Sequence, residues 1–399
     1  MKKSFFQRLQ KVKLMDILHI FLFLIAIIPA FIYKKTHQPF WLICDYENEA
    51  RDNGYYFYKY MIEKHKDKNV IYAINKKSPD FKKVKNLGKV VNYGTLLHWI
   101  YYLSADVNIS SQKGGKPNAA VCYLLEVYGP LKNKRVFLQH GIIKDNLPYV
   151  HYNNAKFSMF TVSTKQEYDY VSNNFGYPNG IIKQVGLCRF DDLKDTSTGE
   201  FILVMPTWRQ WISNGDFKTK NIEDISEFKN TDYYKSWATF LQSKELNELL
   251  RKYNKKLIFY PHRNMQQFID NFKHIENEHI IIASWPTYDV HELLKSCNLL
   301  ITDYSSVAMD FAYLNKPIIY YQFDYDVFRA NHLEEGYFNY EKDAFGPICY
   351  NQEELFLNIE NELTYDFQVN QIYQERINTF FDLRDSNNCE RTFNAIQSL

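Results

Sequence analysis

The 399-residue chain is long enough for two domains, each able to bury its own core. A formal net charge of only +2 excludes a general polyanion binder, and no nucleic-acid partner is expected. Six cysteines (Cys44, Cys122, Cys188, Cys297, Cys349 and Cys389) are scattered with no CxxC pair and no His cluster at ligand spacing, which implies no disulfide framework and argues for a reducing compartment.

The N-terminus differs from the rest. Lys2, Lys3, Arg8, Lys11 and Lys13 precede an apolar run from Ile17 to Tyr33 that is broken only by His19 and Pro29 and closed by Lys34 and Lys35. At 17 residues the run is at the short limit for a transmembrane helix, and no small-residue cleavage site follows it. Basic flanks on both sides favour an anchor lying against anionic lipid on the cytoplasmic face of the cell membrane; a true span and a buried soluble helix are the alternatives. Residues 1–38 are therefore assigned as a membrane-anchoring segment.

From Trp41 onward short apolar runs alternate with amphipathic stretches. WLICD (41–45), VIYAI (70–74), VNIS (107–110), VFLQH (136–140) and MFTVS (159–163) read as strands, with helices between them such as 55–64 and 96–103. Such alternation predicts an α/β domain with a mainly parallel sheet over 39–186. GLCRFDDLKDTSTGE (186–200) is polar and poor in large apolar residues, so 187–200 is expected to be a linker. A second alternation, 201–399, contains FILVM (201–205), KLIFY (256–260), IIIAS (280–284), LLI (299–301) and IIYY (318–321).

Three strands of this second domain end in polar residues: Thr207 and Arg209 after the first, His262 and Arg263 after the second, and Thr302, Asp303, Ser305 and Ser306 after LLI. The last group forms an elbow between a buried strand and a helix pattern through Val307, Ala308 and Phe311, with hydroxyls but no Glu or Gln placed to close a capping box. Alone, the elbow is equally an ordinary capped helix. In a parallel sheet, however, all three ends lie on the carboxyl edge where α/β domains place ligands, and this favours a phosphate site. In the first domain, Gln139-His140-Gly141 ends a strand, with Gly141 allowing a tight turn; His140, left at a carboxyl edge, can act as a base near neutral pH, though a lone histidine there more often satisfies a loop carbonyl, and only the two polar edges together favour the base. Packing the two polar edges together would bury them in a shared cleft.

In these residues the chain resembles the CDP-glycerol glycerophosphotransferases of teichoic acid synthesis and the related CDP-ribitol and capsule enzymes. The resemblance runs through Trp41, Asp52-Asn53-Gly54, Gln139-His140-Gly141, Pro206-Thr207-Trp208-Arg209, Pro261-His262, Thr302-Asp303-Tyr304-Ser305-Ser306 and Gly346-Pro347. It implies a GT-B-like architecture of two Rossmann-like domains facing across a cleft, the first for the acceptor and the second for the CDP donor. It also implies that His140 and His262 are the catalytic histidines, and that an alditol phosphate, glycerol phosphate first, passes from CDP-glycerol or CDP-ribitol to a lipid-linked polymer acceptor with release of CMP. Gly141, Thr207, Arg209, Arg263, Thr302, Asp303, Ser305 and Ser306 are expected to hold substrate. No metal site and no cofactor are expected, the CDP-alditol being a substrate. Two features depart from the pattern: Ile142 follows QHG where many members carry Thr, and Glu335-Gly336-Tyr337-Phe338 stands where an RGFY-like segment is usual. A nucleotide-sugar transferase on the same architecture, or a non-catalytic nucleotide-binding membrane protein, are the rival readings.

Overall fold

The computed structural model describes residues 13–213 and 225–399. Of the basic residues expected to flank the membrane helix, Lys2, Lys3, Arg8 and Lys11 lie outside the described residues. The chain divides into two compact units. The first takes the chain up to His140, then Pro148–Asp192 and Asp385–Leu399; the second takes Gly141–Leu147 and Leu193–Arg384.

The first unit is built on seven strands, β1 (Trp41–Cys44), β2 (Val70–Ile74), β3 (Val90–Asn92), β4 (Val107–Ser110), β5 (Lys134–Phe137), β6 (Met159–Val162) and β7 (Ile182–Gln184), in the order β3-β2-β1-β4-β5-β6-β7. Every pairing is parallel. Val70, Ile71, Tyr72, Ala73 and Ile74 are all buried, which is why β2 reads as an unbroken apolar run, and each large aliphatic among them contributes about 1.5–3 kcal/mol by leaving water. Strand order reverses between β1 and β4, whose register sets Cys44 beside Ser110.

The helix Leu14–Thr36 belongs to this unit. Along its inner face His19, Ala26 and Ala30 are buried, and the indole of Trp99, in the helix Leu96–Ser104, donates to His19 Nδ1 at 3.0 Å. Contacts continue from Asp16, which accepts from Asn118 at 2.9 Å, to Tyr33, whose ring meets Tyr101 and Phe40. The opposite face, including Phe21, Ile25, Ile28 and Ile32, is exposed.

The second unit carries β8 (Phe201–Met205), β9 (Lys256–Phe259), β10 (Ile280–Ile282), β11 (Leu299–Thr302), β12 (Ile318–Tyr321) and β13 (Ile348–Cys349), ordered β10-β9-β8-β11-β12-β13 and again wholly parallel. Its reversal falls between β8 and β11, where Met205 lies beside Thr302.

The expected domain limits, 39–186 and 201–399 joined by a linker over 187–200, differ from these units in three places. Leu187, Cys188 and Phe190 are buried and Cys188–Asp191 forms a 3-10 turn, so the start of the polar stretch belongs to the first unit. The helix Asn388–Gln397 returns to the first unit because its apolar face, Cys389, Phe393 and Ile396, joins the core with Phe57 and Met61. Gly141–Leu147 joins the second unit: Ile142 and Ile143 are buried, Asp145 pairs with Arg329 at 2.8 Å, and the Asn146 amide donates to the Glu334 carbonyl at 3.0 Å.

Candidate active site

In the second unit the elbow expected to bind phosphate sits at the strand reversal, the place where a doubly wound sheet opens a crevice for ligands. Its first residues are consumed in building it. The Thr302 hydroxyl donates to the Met205 carbonyl at 2.7 Å. Asp303, fully buried, accepts from the amides of Thr207 at 2.8 Å and Tyr304 at 2.6 Å. Arg209 is 0% exposed and is not placed to hold a substrate phosphate. Its guanidinium pairs with Asp303 at 2.9 Å, grips both oxygens of Asp324 at 2.8 and 3.0 Å, and donates to the Thr207 carbonyl at 2.8 Å. Burial opposes its charge, but Asp303 and Asp324 more than offset that and hold its pKa above the usual arginine value. Thr302, Asp303 and Arg209, expected among the substrate ligands, are thus internal braces that tie the ends of β8 and β11 to the turn before the helix Tyr325–Asn331.

What this frame presents outward is smaller. Ser305 and Ser306 are half-buried; the Ser305 hydroxyl accepts from the Val307 amide at 3.3 Å, and Ser306 makes no side-chain cap bond. Thr207 is buried with its hydroxyl unpartnered among the described residues, an orphan polar atom of the kind a ligand satisfies. His262 and Arg263 are half-buried at the end of β9. His262 Nδ1 accepts from the Asn264 amide at 3.2 Å, which assigns the neutral ring's proton to Nε2, and the ring stacks on Trp208 at 6.2 Å between centroids.

In the first unit His140 follows β5, and its position depends on residues the sequence left uninterpreted. Gln139 adopts a left-handed backbone, φ 49°, a conformation costing on the order of 1 kcal/mol for a residue with a side chain. Two partners hold it there: the Asn53 amide donates to the Gln139 carbonyl at 2.7 Å, and the Gln139 side chain donates to buried Glu167 at 3.0 Å. Asn53 in turn accepts from the Arg189 amide at 3.0 Å, and Arg189 pairs with Asp52 at 3.2 Å. Burial first, and the charge of Arg189 second, push the His140 pKa down to about 4. The His140 surface itself reaches solvent, so protein crowds the ring without sealing it, and the imidazole is neutral at pH 7.

The reversal of this first sheet is filled. The Asp45 carboxylate, at the end of β1, accepts from the amides of Gly54 at 2.8 Å, Asp52 at 3.1 Å and Tyr55 at 3.1 Å, and from the hydroxyls of Tyr72 and Ser111. A Cβ on Gly54 would stand 2.4 Å from Asp45 Oδ1, so the glycine is what lets the carboxylate enter. Burial, then the neighbouring Asp52 charge, raise the Asp45 pKa to about 6. The first-turn amides that would greet an anion here are already bonded to a protein carboxylate.

Two parallel sheets of doubly wound order, one reversal filled by its own carboxylate and the other bordered by serine, threonine and histidine, define a GT-B-like α/β protein. The chain belongs to the CDP-glycerol:poly(glycerophosphate) glycerophosphotransferase family, whose model its residues 27–398 match. It is 30% identical over 378 residues to the minor teichoic acid biosynthesis protein GgaB of Bacillus subtilis (strain 168), covering 91% of this chain and 40% of that one. With the teichoic acid glycerol-phosphate primase of the same organism it shares 23% identity over 256 residues, 61% of this chain and 58% of the primase. It therefore spans roughly two fifths to three fifths of the length of these relatives. Among solved structures, that of the wall teichoic acid polymerase TagF superposes with a TM-score of 0.65 at 17% identity, covering 97% of this chain and 100% of that one. A Staphylococcus aureus MnaA-UDP structure gives 0.54 at 12% identity over 91% and 96%. Both likenesses concern the fold.

Proposed function

We propose that this chain transfers glycerol phosphate from CDP-glycerol to a hydroxyl of a lipid-linked teichoic acid polymer, releasing CMP. The observation that carries the donor assignment is the contrast between the two strand reversals: Asp45 fills the first, while the second offers Ser305, Ser306 and the Thr207 hydroxyl, unpartnered among the described residues. The family match supports the donor class. In the reaction an acceptor oxygen bonds to the phosphorus carrying glycerol, the bond from that phosphorus to the bridging oxygen breaks, and CMP departs with the electron pair. His140, neutral at pH 7, takes the acceptor proton. Ser305, Ser306 and Thr207 donate hydroxyls to the diphosphate, and His262, with its proton on Nε2, gives an N–H to the oxygens on which charge accumulates. Arg263, half-buried beside it, adds fixed positive charge.

The helix Leu14–Thr36 is long and apolar enough to cross a membrane by length and composition. We infer that it lies in the plane of the interface instead, on the cytoplasmic side where a nucleotide donor is made. Its packing against the first unit runs from Asp16 to Tyr33, about 25 Å at 1.5 Å per residue, so crossing a hydrocarbon layer of about 30 Å would drag Asn118 and Trp99 in with it. Lys13, Lys34 and Lys35 at its ends suit anionic headgroups.

The decisive experiment incubates purified protein with CDP-glycerol, CDP-ribitol or UDP-sugars in the presence of a lipid-linked acceptor. CMP released from CDP-glycerol supports the proposal; release from CDP-ribitol alone changes the alditol; UDP release or no turnover overturns it.

A further inference from the structure

We propose that His332 is a further donor-binding residue, presenting a neutral imidazole N–H to a phosphate oxygen of the nucleotide; this rests on placing the donor in the second unit. His332 caps the helix Tyr325–Asn331, and its Nδ1 accepts from the backbone amide of Gln210, just past the end of β8, at 3.2 Å. That bond puts the ring proton on Nε2, on the far side of the ring from the β8 loop. The imidazole is also one rung of an aromatic ladder. Tyr304 of the elbow stacks on Phe328 at 3.8 Å, Phe328 on His332 at 4.6 Å, His332 meets Trp208 edge-on at 4.5 Å, and Trp208 stacks on His262. The ladder fixes the plane of His332 and connects the elbow to the histidine that ends β9.

Pure packing would be met by a phenyl ring. The backbone bond to Nδ1 selects one tautomer of a half-buried ring, and that is how a site fixes the direction of an N–H donor. Burial first, then Arg209 and His262, push its pKa down to about 3, so the ring remains an uncharged donor at pH 7. Such a donor binds a phosphate oxygen without adding a cation beside the Arg209 brace.

Calorimetric titration of the full chain with CDP-glycerol tests this. H332N keeps an acceptor near the Nδ1 position but has no donor at the Nε2 position; H332Q carries an amide N–H there. We expect folded H332N to bind CDP-glycerol about 10-fold more weakly, and H332Q to stay within about 3-fold of the parent. Should H332N melt early, H332F, which keeps the ring stack and lacks any N–H, takes its place with the same expected loss. Parental affinity in a folded H332N or H332F overturns the proposal, as does a loss in H332Q equal to that in H332N. Failure of the unsubstituted protein to bind CDP-glycerol overturns instead the donor reading on which it rests.

Discussion

Replacing Arg209 with methionine removes a guanidinium that serves two buried carboxylates and a carbonyl while leaving the stem's volume in place. Asp303 and Asp324, 0% and 8% exposed at their side chains, would keep their charges in the interior without a counterion. Stripping one partner from a buried ion pair costs about 3–5 kcal/mol. For a domain of roughly 200 residues each kcal/mol moves the melting midpoint about 2–4 °C, so R209M should melt about 6–20 °C below the parent. The triple change R209M/D303N/D324N removes the stranded charges along with the cation and should recover much of that loss. Scanning calorimetry of the three proteins, with CDP titrated at a temperature where all are folded, gives both readouts. An R209M protein that melts with the parent yet binds CDP tenfold more weakly would refute the brace and make Arg209 a phosphate ligand.

H140A should lower turnover about 100-fold while leaving CDP-glycerol binding near the parent value, since a general base acts on the transition state. Because burial and Arg189 lower the His140 pKa to about 4, its base form persists below pH 6.5, and kcat/KM should stay level from pH 7 to below 6 before falling; an acid limb centred at 6.5 would contradict this. S306A, which removes no side-chain cap bond among the described residues, should weaken CDP binding about 10-fold without moving the melting temperature, and unchanged affinity would return the elbow to an ordinary helix start. Exchanging the outward residues Phe21, Ile25, Ile28 and Ile32 for glutamine should abolish flotation with anionic vesicles in a protein that remains folded, whereas continued flotation would place the membrane contact elsewhere.

The central strands were legible because burial on both faces writes itself as an unbroken apolar run: VIYAI, LLIT and IIYY are buried at every position. The edge strands β3 and β7 were not, having three residues each and mixed burial. His140, His262 and the elbow announced themselves as polar residues ending apolar runs. The elbow's division of labour did not, since nothing in Thr302-Asp303-Tyr304-Ser305-Ser306 says which side chains turn inward; that is decided by Arg209 and Asp324, which stand 115 residues apart in the chain. Asn53 and Gln139 belong to the same class. Their bond joins positions 86 residues apart, and a left-handed glutamine has no compositional signature, unlike the glycine beside it. His332 was hidden for a third reason, standing in a short helix end with no apolar run before it to mark a sheet edge.

The return of residues 385–399 to the first unit bears on how the protein is made. Cys389, Phe393 and Ile396 complete a core begun by Trp41, Phe57 and Met61, so a sheet whose first strand starts at Trp41 cannot close until residues 385–399 have been made. The second unit has all of its own chain by Arg384 and can be whole beforehand. Vectorial synthesis usually lets the leading domain settle before the next emerges. Here the leading sheet must wait with its flank open through the manufacture of its neighbour, and a nonsense codon just before residue 385 would strand this earlier sheet rather than the later one.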